Sequence, residues 1–277
     1  MKKLIFSILL LASTLLQASD IYVKPGESIA DAIRQARELR RLNDPSIEGG
    51  ITIHVAAGNY RIYEPLFLRP EDSGTPSSPT IIKGEGEVIV SGGVTVTGWK
   101  RQGKLMVADV PDFCGRPLDF RQFYVNGKKA VRARDVADFE DMYRIIRVDK
   151  QKRVLWVPAA AVRKIQKAPY AEMVLHEMWC VANLRIKDIM FAGDSAAVSF
   201  HDPESRIQFE HPWPCPMVTT DGHNSAFYLA NARELLDVPG EWYHDIRAGK
   251  LYYYPRQGEL IEEAVVPAVE TLLRVEG

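Results

Sequence analysis

An amphipathic segment near the start of the chain precedes a run of short alternating segments. Apolar residues in SIADAIRQARELR recur at spacings of three, four and seven between Ile29 and Leu39, which predicts a helix with one apolar face. Ser28 followed by Asp31 is a helix start signal, and Asn43-Asp44-Pro45 is an end signal. The charged face opposite is predicted to carry Arg34, Arg37, Glu38 and Arg41.

Four short apolar strands are predicted after this helix, with no second helix between them. They are ITIHV (51–55), EPLFL (64–68), PTIIKG (79–84) and EVIVSGG (87–93). Gly84-Glu85-Gly86 is interpreted as the turn between the last two strands. A helix followed by closely spaced strands predicts the start of a β-solenoid, because such a helix can cover the open apolar end of the first coil.

The pattern changes after Gly93 to one rich in aromatic residues and hairpin signals. Asn126-Gly127 lies between alternating segments in FRQFYVNGKKAVRARD, which is a strong hairpin signal. RIIRVDKQKRVLWVP and EWYHDIRAGKLYYYP predict two further hairpins, and a short helix is expected around Asn231 to Leu236. We therefore expect a cap and first coils over 20–97, a large inserted antiparallel β-domain over 98–267 (a sandwich or small barrel), and a return strand at 268–277.

The first residues have the pattern of a secretory signal peptide. Lys2 and Lys3 precede an apolar run from Leu4 to Leu16, and the small residues Ala18 and Ser19 offer a cleavage point. The run is short for a membrane span, although an uncleaved anchor is the alternative. Residues 1–19 therefore predict export to a bacterial periplasm or beyond, with no membrane attachment after cleavage.

Composition restricts the partners and cofactors. A net charge of −1 gives no electrostatic case for binding nucleic acid or an anionic membrane surface. The spacings of Cys114, Cys180 and Cys215 match no zinc or redox motif, so one disulfide with a leftover thiol and three unpaired thiols are both compatible. We expect no cofactor and no metal site.

Eight segments in order along nearly the whole mature chain resemble bacterial right-handed parallel β-helix glycoside hydrolases, most closely glycoside hydrolase family 141. They are ITIHVAAGNYRI, EPLFLRPEDSGT, VIVSGGVTVTGWK, FYVNGKKAVRAR, PESRIQFEHPWP, NSAFYLANARELLDVPGEWYHD, KLYYYPRQGE and ETLLRVEG. The resemblance implies an all-β protein, the start of a pectin-lyase-like right-handed parallel β-helix with an N-terminal capping helix. It also implies hydrolysis of O-glycosidic bonds in plant cell-wall polysaccharide, of the α-L-fucoside or xylan type.

In enzymes of this kind the catalytic acids lie on later coils, downstream of the segment that resembles ETLLRVEG. No catalytic residue is therefore assigned here, and the expectation is the N-terminal part of a secreted hydrolase that is inactive alone. An open β-helix end at this point predicts self-association. The alternative is a non-catalytic carbohydrate-binding or accessory β-helix protein, and a remnant that needs the missing coils from another chain is a third hypothesis.

Candidate sugar-binding residues come from two loops. Pro212 and Pro214 hold Trp213 extended beside Glu210 and His211, an arrangement suited to stacking on a sugar and bonding its hydroxyls, although Trp213 could instead pack between insert and solenoid. The second loop, after Asp221-Gly222, carries His223 and Asn224.

Other acidic and aromatic residues are interpreted as structural. The neighbouring acids in Glu71-Asp72 and Glu140-Asp141 point apart on a strand, so neither pair suits the two-carboxylate chemistry of glycosidases, and Asp72 is expected to cap a turn. The segment VLHEMWC lacks the second histidine of the metalloprotease motif H-E-x-x-H. We therefore expect its residues His176, Glu177 and Trp179 to pack in the core or at an interface.

Overall fold

The structure, a computed structural model, describes residues 18–276. It divides into two compact units. Of the described residues, the first unit holds 18–93 and 268–276, and the second runs from Val94 to Pro267. The chain is mostly β with few helices, as the sequence predicts. Apart from Ala18 and Ser19, the predicted signal peptide lies outside the described residues.

The secondary structure consists of many short strands and a few helices. In chain order the strands begin with β1 (Ser19–Val23), β2 (Ile51–Arg61), β3 (Leu66–Leu68), β4 (Thr80–Ser91), β5 (Gly93–Thr95), β6 (Lys100–Gln102), β7 (Leu105–Asp109) and β8 (Asp112–Phe113). They continue with β9 (Arg116–Pro117), β10 (Tyr124–Val125), β11 (Lys128–Lys129), β12 (Val131–Arg132), β13 (Tyr143–Arg144), β14 (Arg147–Asp149), β15 (Val154–Pro158) and β16 (Glu172–His176). The last are β17 (Val181–Ala192), β18 (Ser195–Phe200), β19 (Ala226–Ala230), β20 (Glu241–Asp245), β21 (Lys250–Tyr253), β22 (Ala264–Pro267) and β23 (Leu273–Val275). The α-helices are α1 (Ile29–Arg41), α2 (Ala159–Val162) and α3 (Glu204–Glu210). Single 3-10 turns cover Pro45–Ile47, Pro70–Asp72, Phe139–Asp141, Arg163–Ile165 and Arg233–Leu235.

The first unit is built on the parallel sheet β1-β2-β4. Alternate residues of β2, among them the fully buried Ile53, face the core because successive side chains on a strand point to opposite sides. The predicted helix is confirmed as α1, with the apolar face on this core and the Ser28 hydroxyl accepting a hydrogen bond from the Asp31 amide at 3.2 Å. Strand β23 pairs in parallel with β3, so the last described residues belong to this unit, although in a different sheet from β4.

Two sequence predictions for this unit are wrong. The segments 79–84 and 87–93 form one continuous strand, β4, because Gly86 adopts a φ of +94° at an irregularity opposite Ala57 and the strand continues past it. Arg37 was expected on the exposed face of α1, but it is only partly exposed and donates two hydrogen bonds to the buried Asp72 carboxylate, at 2.8 and 2.7 Å. Asp72 also accepts from the Arg69 amide at 2.7 Å, so its predicted capping role is confirmed.

The outer face of the parallel sheet carries a histidine between two carboxylates. His54 Nδ1 lies 2.8 Å from Glu85 Oε1, and Nε2 lies 3.0 Å from Asp20 Oδ1, while the ring stacks on Tyr22 with centroids 4.9 Å apart. The hydrogen bond with Glu85, followed by the one with Asp20, raises the pKa of His54. The three parallel strands are thus joined by an ion-paired ladder whenever His54 is protonated.

We expect this ladder to stabilise the first unit below the unfolded histidine pKa of about 6.5 and to be lost as the pH rises through the higher folded pKa. Proton NMR titration should place the His54 pKa above that value, and Glu85→Gln should lower it. Glu87→Gln, on the same strand and exposed, is the matched control. A His54 ring that titrates at or below the unfolded value in the unchanged protein would refute the ladder.

The second unit contains the antiparallel sheet β13-β19-β16-β17-β18-β15-β14 and the sheet β12-β20-β21-β7-β6. Residues of both sheets meet in one apolar cluster, which includes the fully buried Met173, Leu175 and Phe227 together with Tyr243. All three predicted hairpins are confirmed, as β10–β11, β14–β15 and β20–β21. At the tip of the first, Asn126 and Gly127 both have positive φ, the conformation that favours Asn-Gly in a tight hairpin turn.

The helix expected around Asn231 to Leu236 is only the 3-10 turn Arg233–Leu235, and the α-helices of this unit lie elsewhere. The turn is limited because Ala232 before it is extended and Leu236 after it has left the helical conformation. Cys114, Cys180 and Cys215 are free thiols. Within residues 18–276 no helix is long and apolar enough to cross a membrane, and no group of three or more His, Cys, Asp or Glu side chains is placed to hold a metal ion.

Candidate functional site

The second unit carries its polar chemistry on the face of the seven-stranded sheet that is turned away from the core. Along β16, Met173 and Leu175 point into the core, so Glu172, Val174 and His176 point to the other face. Paired residues of antiparallel strands share a face. Val174 is paired with Asn183 of β17 and Tyr228 of β19, and Glu172 is paired with Ala230. This face therefore presents acid, amide and aromatic side chains side by side.

An open cleft of about 390 Å³ lies on this face, and we call it the arginine cleft. Its walls include the apolar side chains of Val131 and Val174. The polar and charged residues that line it are Arg121, Lys129, Arg132, Arg134, Asn183 and Tyr228.

A buried carboxylate organises one side of the cleft. Glu172 is 4% exposed and accepts two hydrogen bonds from Arg121, at 3.0 and 2.6 Å, and one from Arg132 at 3.1 Å. Burial lowers the pKa of the Arg132 guanidinium, and the neighbouring charge of Glu172 acts against that shift. Arg132 also lies over the Trp242 ring, 5.6 Å from its centroid, and its Nε is buried without a hydrogen-bond partner. Two arginines thus share a single carboxylate.

The other side of the cleft has cations that no carboxylate neutralises. The Arg134 guanidinium lies over the Tyr228 ring, 5.9 Å from its centroid, and within residues 18–276 it makes no ion pair or side-chain hydrogen bond. Lys129 is exposed and likewise forms no ion pair in the described part of the chain. Four cations therefore line the cleft, while the buried Glu172 pairs with Arg121 and Arg132 and the charge of Asp119 also acts on Arg132. The excess of cations is an electrostatic environment that favours an anion.

The local sequence explains how these cations reach the cleft. The Asn126-Gly127 turn is anchored because the Asn126 side chain donates to the Leu260 carbonyl at 2.7 Å and accepts from the Glu262 amide at 3.0 Å. Arg132 and Arg134 then follow two residues apart in an extended segment, so they project to the same side. That alternation of arginines, visible in VRAR, is the signal that the sequence interpretation missed.

The first predicted sugar-binding group lies at the end of α3. Glu210 is the last residue of this helix and pairs with Arg153. His211 Nδ1 lies 2.7 Å from the Trp213 carbonyl oxygen, which holds the two residues together. Trp213 is 44% exposed, enough to offer part of its ring to a ligand.

The second predicted group lies on the loop before β19. His223 is exposed, and its amide donates to the Asp221 carboxylate at 3.3 Å. Asn224 uses both ends of its amide inside the unit, accepting from the Thr219 amide and donating to the Ile145 carbonyl, each at 2.8 Å. Within residues 18–276 no hydrogen bond or ion pair joins these two residues to Glu210, His211 or Trp213, and neither group lines the arginine cleft.

The residues expected to pack in HEMW have different environments. His176 makes ring contacts with Phe139 and Tyr228, and burial, with a further contribution from the charge of Arg144, lowers its pKa. Glu177 accepts hydrogen bonds from Cys180 and Gln208, and burial raises its pKa. Trp179 is 75% exposed on the β16–β17 turn, so it does not pack in the core, because the turn carries it beyond the core's edge. Interface packing of Trp179 stays a prediction.

Comparisons with known proteins identify the family. Residues 103–256, more than half of the chain, match the family model described as the GH141 insertion domain. A solved structure named "Glycoside hydrolase" is 59% identical with a TM-score of 0.88, over 93% of this chain and 48% of that chain. The chain thus spans about half the length of that structure. A comparison with curated proteins found no significant match. The family-model match and this similar structure confirm the resemblance to glycoside hydrolase family 141. Since its larger unit carries the domain that defines the match, the chain belongs to the GH141 insertion domain family.

Proposed function

We propose that this chain functions in the hydrolysis of O-glycosidic bonds and that its second unit contacts the glycan. The observation that carries the proposal is the similarity, at 59% identity and a TM-score of 0.88, to a protein named glycoside hydrolase. Plant cell-wall polysaccharide of the α-L-fucoside or xylan type is the proposed substrate, on the sequence resemblance described above. Secretion to the periplasm or beyond is proposed from the pattern of residues 1–19.

A right-handed parallel β-helix is the architecture that we propose for the first unit and the coils associated with it. Three features support it: the parallel pairing of β1, β2 and β4, the parallel pairing of β23 with β3, and the helix α1 on the apolar core. A groove of about 890 Å³, lined largely by apolar side chains including Leu66, Val88 and Leu273, lies in this unit. Such a surface suits a further strand layer or self-association.

We also propose that the catalytic carboxyl groups are not among the described residues. Hydrolysis of a glycosidic bond ordinarily needs two carboxyl groups on either side of it. Asp72 is held by Arg37, and Glu172 by Arg121 and Arg132. Glu177 has the raised pKa of a general acid but is held by Cys180 and Gln208. These buried carboxyl groups are therefore engaged in structural contacts.

Among the predicted residues, Trp213 is the one that we propose stacks on a sugar ring, with Glu210 and His211 beside it. Trp213→Ala should weaken glycan binding about fivefold, the loss of roughly 1 kcal/mol of aromatic contact. Calorimetric titration with xylan and fucosylated pectin oligosaccharides measures the effect. The matched control is Trp179→Ala, which removes a more exposed tryptophan from a turn of the same unit. Equal losses for both variants would contradict the assignment.

A hydrolysis assay separates the enzyme hypothesis from the alternative of a non-catalytic binding or accessory protein. The chain alone should release no sugar from fucosylated pectin, xylan or aryl glycosides, while it binds at least one of them. Dose-dependent hydrolysis that is abolished by changing an acid of this chain would place the active site here. Absence of binding to every glycan would remove the proposed role of the second unit.

A further inference from the structure

We infer that the arginine cleft binds the carboxylate of an acidic sugar residue within a glycan. This inference rests on the glycan contact proposed above and names its chemical class. The carboxylate is expected between Arg134 and Lys129, on the side of the cleft that Glu172 does not neutralise. Trp213, His223 and Asn224 are not part of this site.

The charges in the cleft favour the binding of an external anion. Glu172 is already shared by Arg121 and Arg132, so it has no further carboxylate oxygen to offer to Arg134. Arg134 keeps the full fork of its guanidinium, which matches a carboxylate in a bidentate arrangement. An arginine that is half-buried over an aromatic ring gains more from such a partner than one in open water, because the local dielectric constant is lower.

The site is already organised before a ligand arrives. The Arg134 amide lies 3.4 Å from Glu241 Oε1, and Arg134 pairs with Ala230 in an isolated antiparallel bridge. The guanidinium itself is in contact with the ring of Tyr228. The fixed backbone and this ring contact reduce the side-chain entropy that is lost when the carboxylate binds, which favours affinity from a single charged contact.

The remaining walls favour a sugar over a simple inorganic ion. Asn183 accepts from Arg121 at 3.0 Å through Oδ1, which orients its NH₂ group as a donor for a hydroxyl. The volume of about 390 Å³ lies in the range of small-ligand sites, roughly 300–1,000 Å³, and exceeds the needs of a bare ion. Val131 and Val174 add apolar surface for the face of a ring.

A nucleic-acid phosphate is less suited to this cleft. The chain has 35 Lys and Arg against 36 Asp and Glu, so no excess of basic charge is available to follow a phosphate backbone. The positive charge of the cleft is local, and it matches a single carboxylate better than a polyanion. Nucleic acid is therefore kept as an outcome of the test.

The test uses the whole chain and two forms of one oligosaccharide in calorimetric titrations. The probes are trigalacturonic acid and its fully methyl-esterified form, which differ in charge and not in sugar sequence. We expect the acid to bind and the ester to bind at least about tenfold more weakly, since a hydrogen bond to a charged group contributes more than about 1.4 kcal/mol. Raising the ionic strength from about 0.01 M to about 0.15 M should weaken the binding of the acid and leave the binding of the ester unchanged.

Arg134→Gln should weaken the binding of the acid at least about tenfold and leave the binding of the ester unchanged. Lys129→Gln, at an exposed position, should weaken the binding of the acid by a smaller factor and also leave the binding of the ester unchanged. Arg247→Gln is the matched control, because it removes one exposed arginine from the same unit without touching the cleft. Far-ultraviolet circular dichroism verifies that all three variants are folded.

Each outcome has a defined meaning. Equal binding of acid and ester overturns this inference and leaves the proposed glycan contact intact. Binding of neither also overturns this inference, while the titrations with xylan and fucosylated pectin oligosaccharides decide separately whether the glycan contact exists. Equal losses of affinity for the acid in Arg134→Gln and Arg247→Gln would show that the loss comes from the change in net charge, and this result would overturn the site. A short oligodeoxythymidylate that binds more tightly than the acid, and loses affinity in Arg134→Gln, would assign the cleft to nucleic acid instead.

Discussion

Glu172→Gln is expected to destabilise the second unit by about 3 kcal/mol, the cost of leaving a buried charge without its partner. The side chain of Glu172 is 6% exposed and that of Arg132 12%, so water cannot replace the lost carboxylate at Arg132. Arg121, with 48% of its side chain exposed, can turn to solvent and adds less to the loss. The substitution keeps the shape of the side chain, so the effect isolates its charge.

Urea unfolding followed by tryptophan fluorescence measures this effect. Every tryptophan of the chain lies between Val94 and Pro267, so the signal reports on the second unit. Glu140→Gln, an exposed change of the same chemistry, should alter the free energy of unfolding by less than about 0.5 kcal/mol. The double variant Glu172→Gln with Arg132→Met should recover part of the loss, because both buried charges are then absent. A Glu172→Gln protein as stable as the Glu140→Gln control would refute the buried pair.

Acid is expected to destabilise the second unit through His244, by roughly 2–3 kcal/mol between pH 7 and pH 4.5. His244 is 2% exposed, stacks on Phe120 with centroids 4.6 Å apart, and has a buried Nδ1 without a hydrogen-bond partner. Burial lowers the pKa of His244 to about 4, while Asp119 and Asp245 oppose the shift and Arg132 adds to it. As the pH falls below the unfolded pKa of about 6.5, the unfolded chain binds a proton that the folded chain excludes, so stability is lost.

The measurement compares the pH dependence of unfolding with and without this histidine. His244→Leu should reduce the difference in unfolding free energy between pH 7 and pH 4.5 by roughly 2–3 kcal/mol. This reduction does not depend on how the substitution changes the stability at pH 7 itself. His201→Gln, which removes an exposed histidine of the same unit, is the control. If His244→Leu keeps the full pH dependence of the unchanged protein, the buried neutral histidine is not its source.

Prediction from the sequence succeeded for local elements and failed where distant segments combine. Helix α1 and the hairpin at Asn126-Gly127 were predicted correctly, because periodicity, caps and turn residues act within a few positions. Arg37 was misplaced because its partner, Asp72, lies on another segment that the periodicity of α1 cannot reveal. The position of Trp179 on a turn was not predicted, because alternation predicts the face of a strand but not the residue at which the strand ends.

The candidate site shows the same division. Glu210, His211 and Trp213 could be grouped from the sequence because they lie within four positions. The sequence did not reveal that no hydrogen bond in the described part of the chain joins them to His223 or Asn224. The arginine cleft was missed altogether. Its residues come from the loop before β10, from strand β11, from the segment around β12, and from strands β16, β17 and β19. Apart from the alternating arginines of VRAR, these segments contain no local signal for an anion site.

The sequence by itself determined the β-rich character of the protein, the helix before the first strands, the hairpins and the similarity to the GH141 family, since each depends on local pattern or on order along the chain. Only the tertiary structure decided which charges are neutralised. Ala230 of β19 is paired with Glu172 of β16 and is also bridged to Arg134, which brings the segment around β12 next to Glu172. Arg121 and Arg132 then share the Glu172 carboxylate, and Arg134 is left without one. The physical reason is that charge compensation depends on distances of a few ångströms across strands, and these distances are set by strand register and packing rather than by separation along the chain.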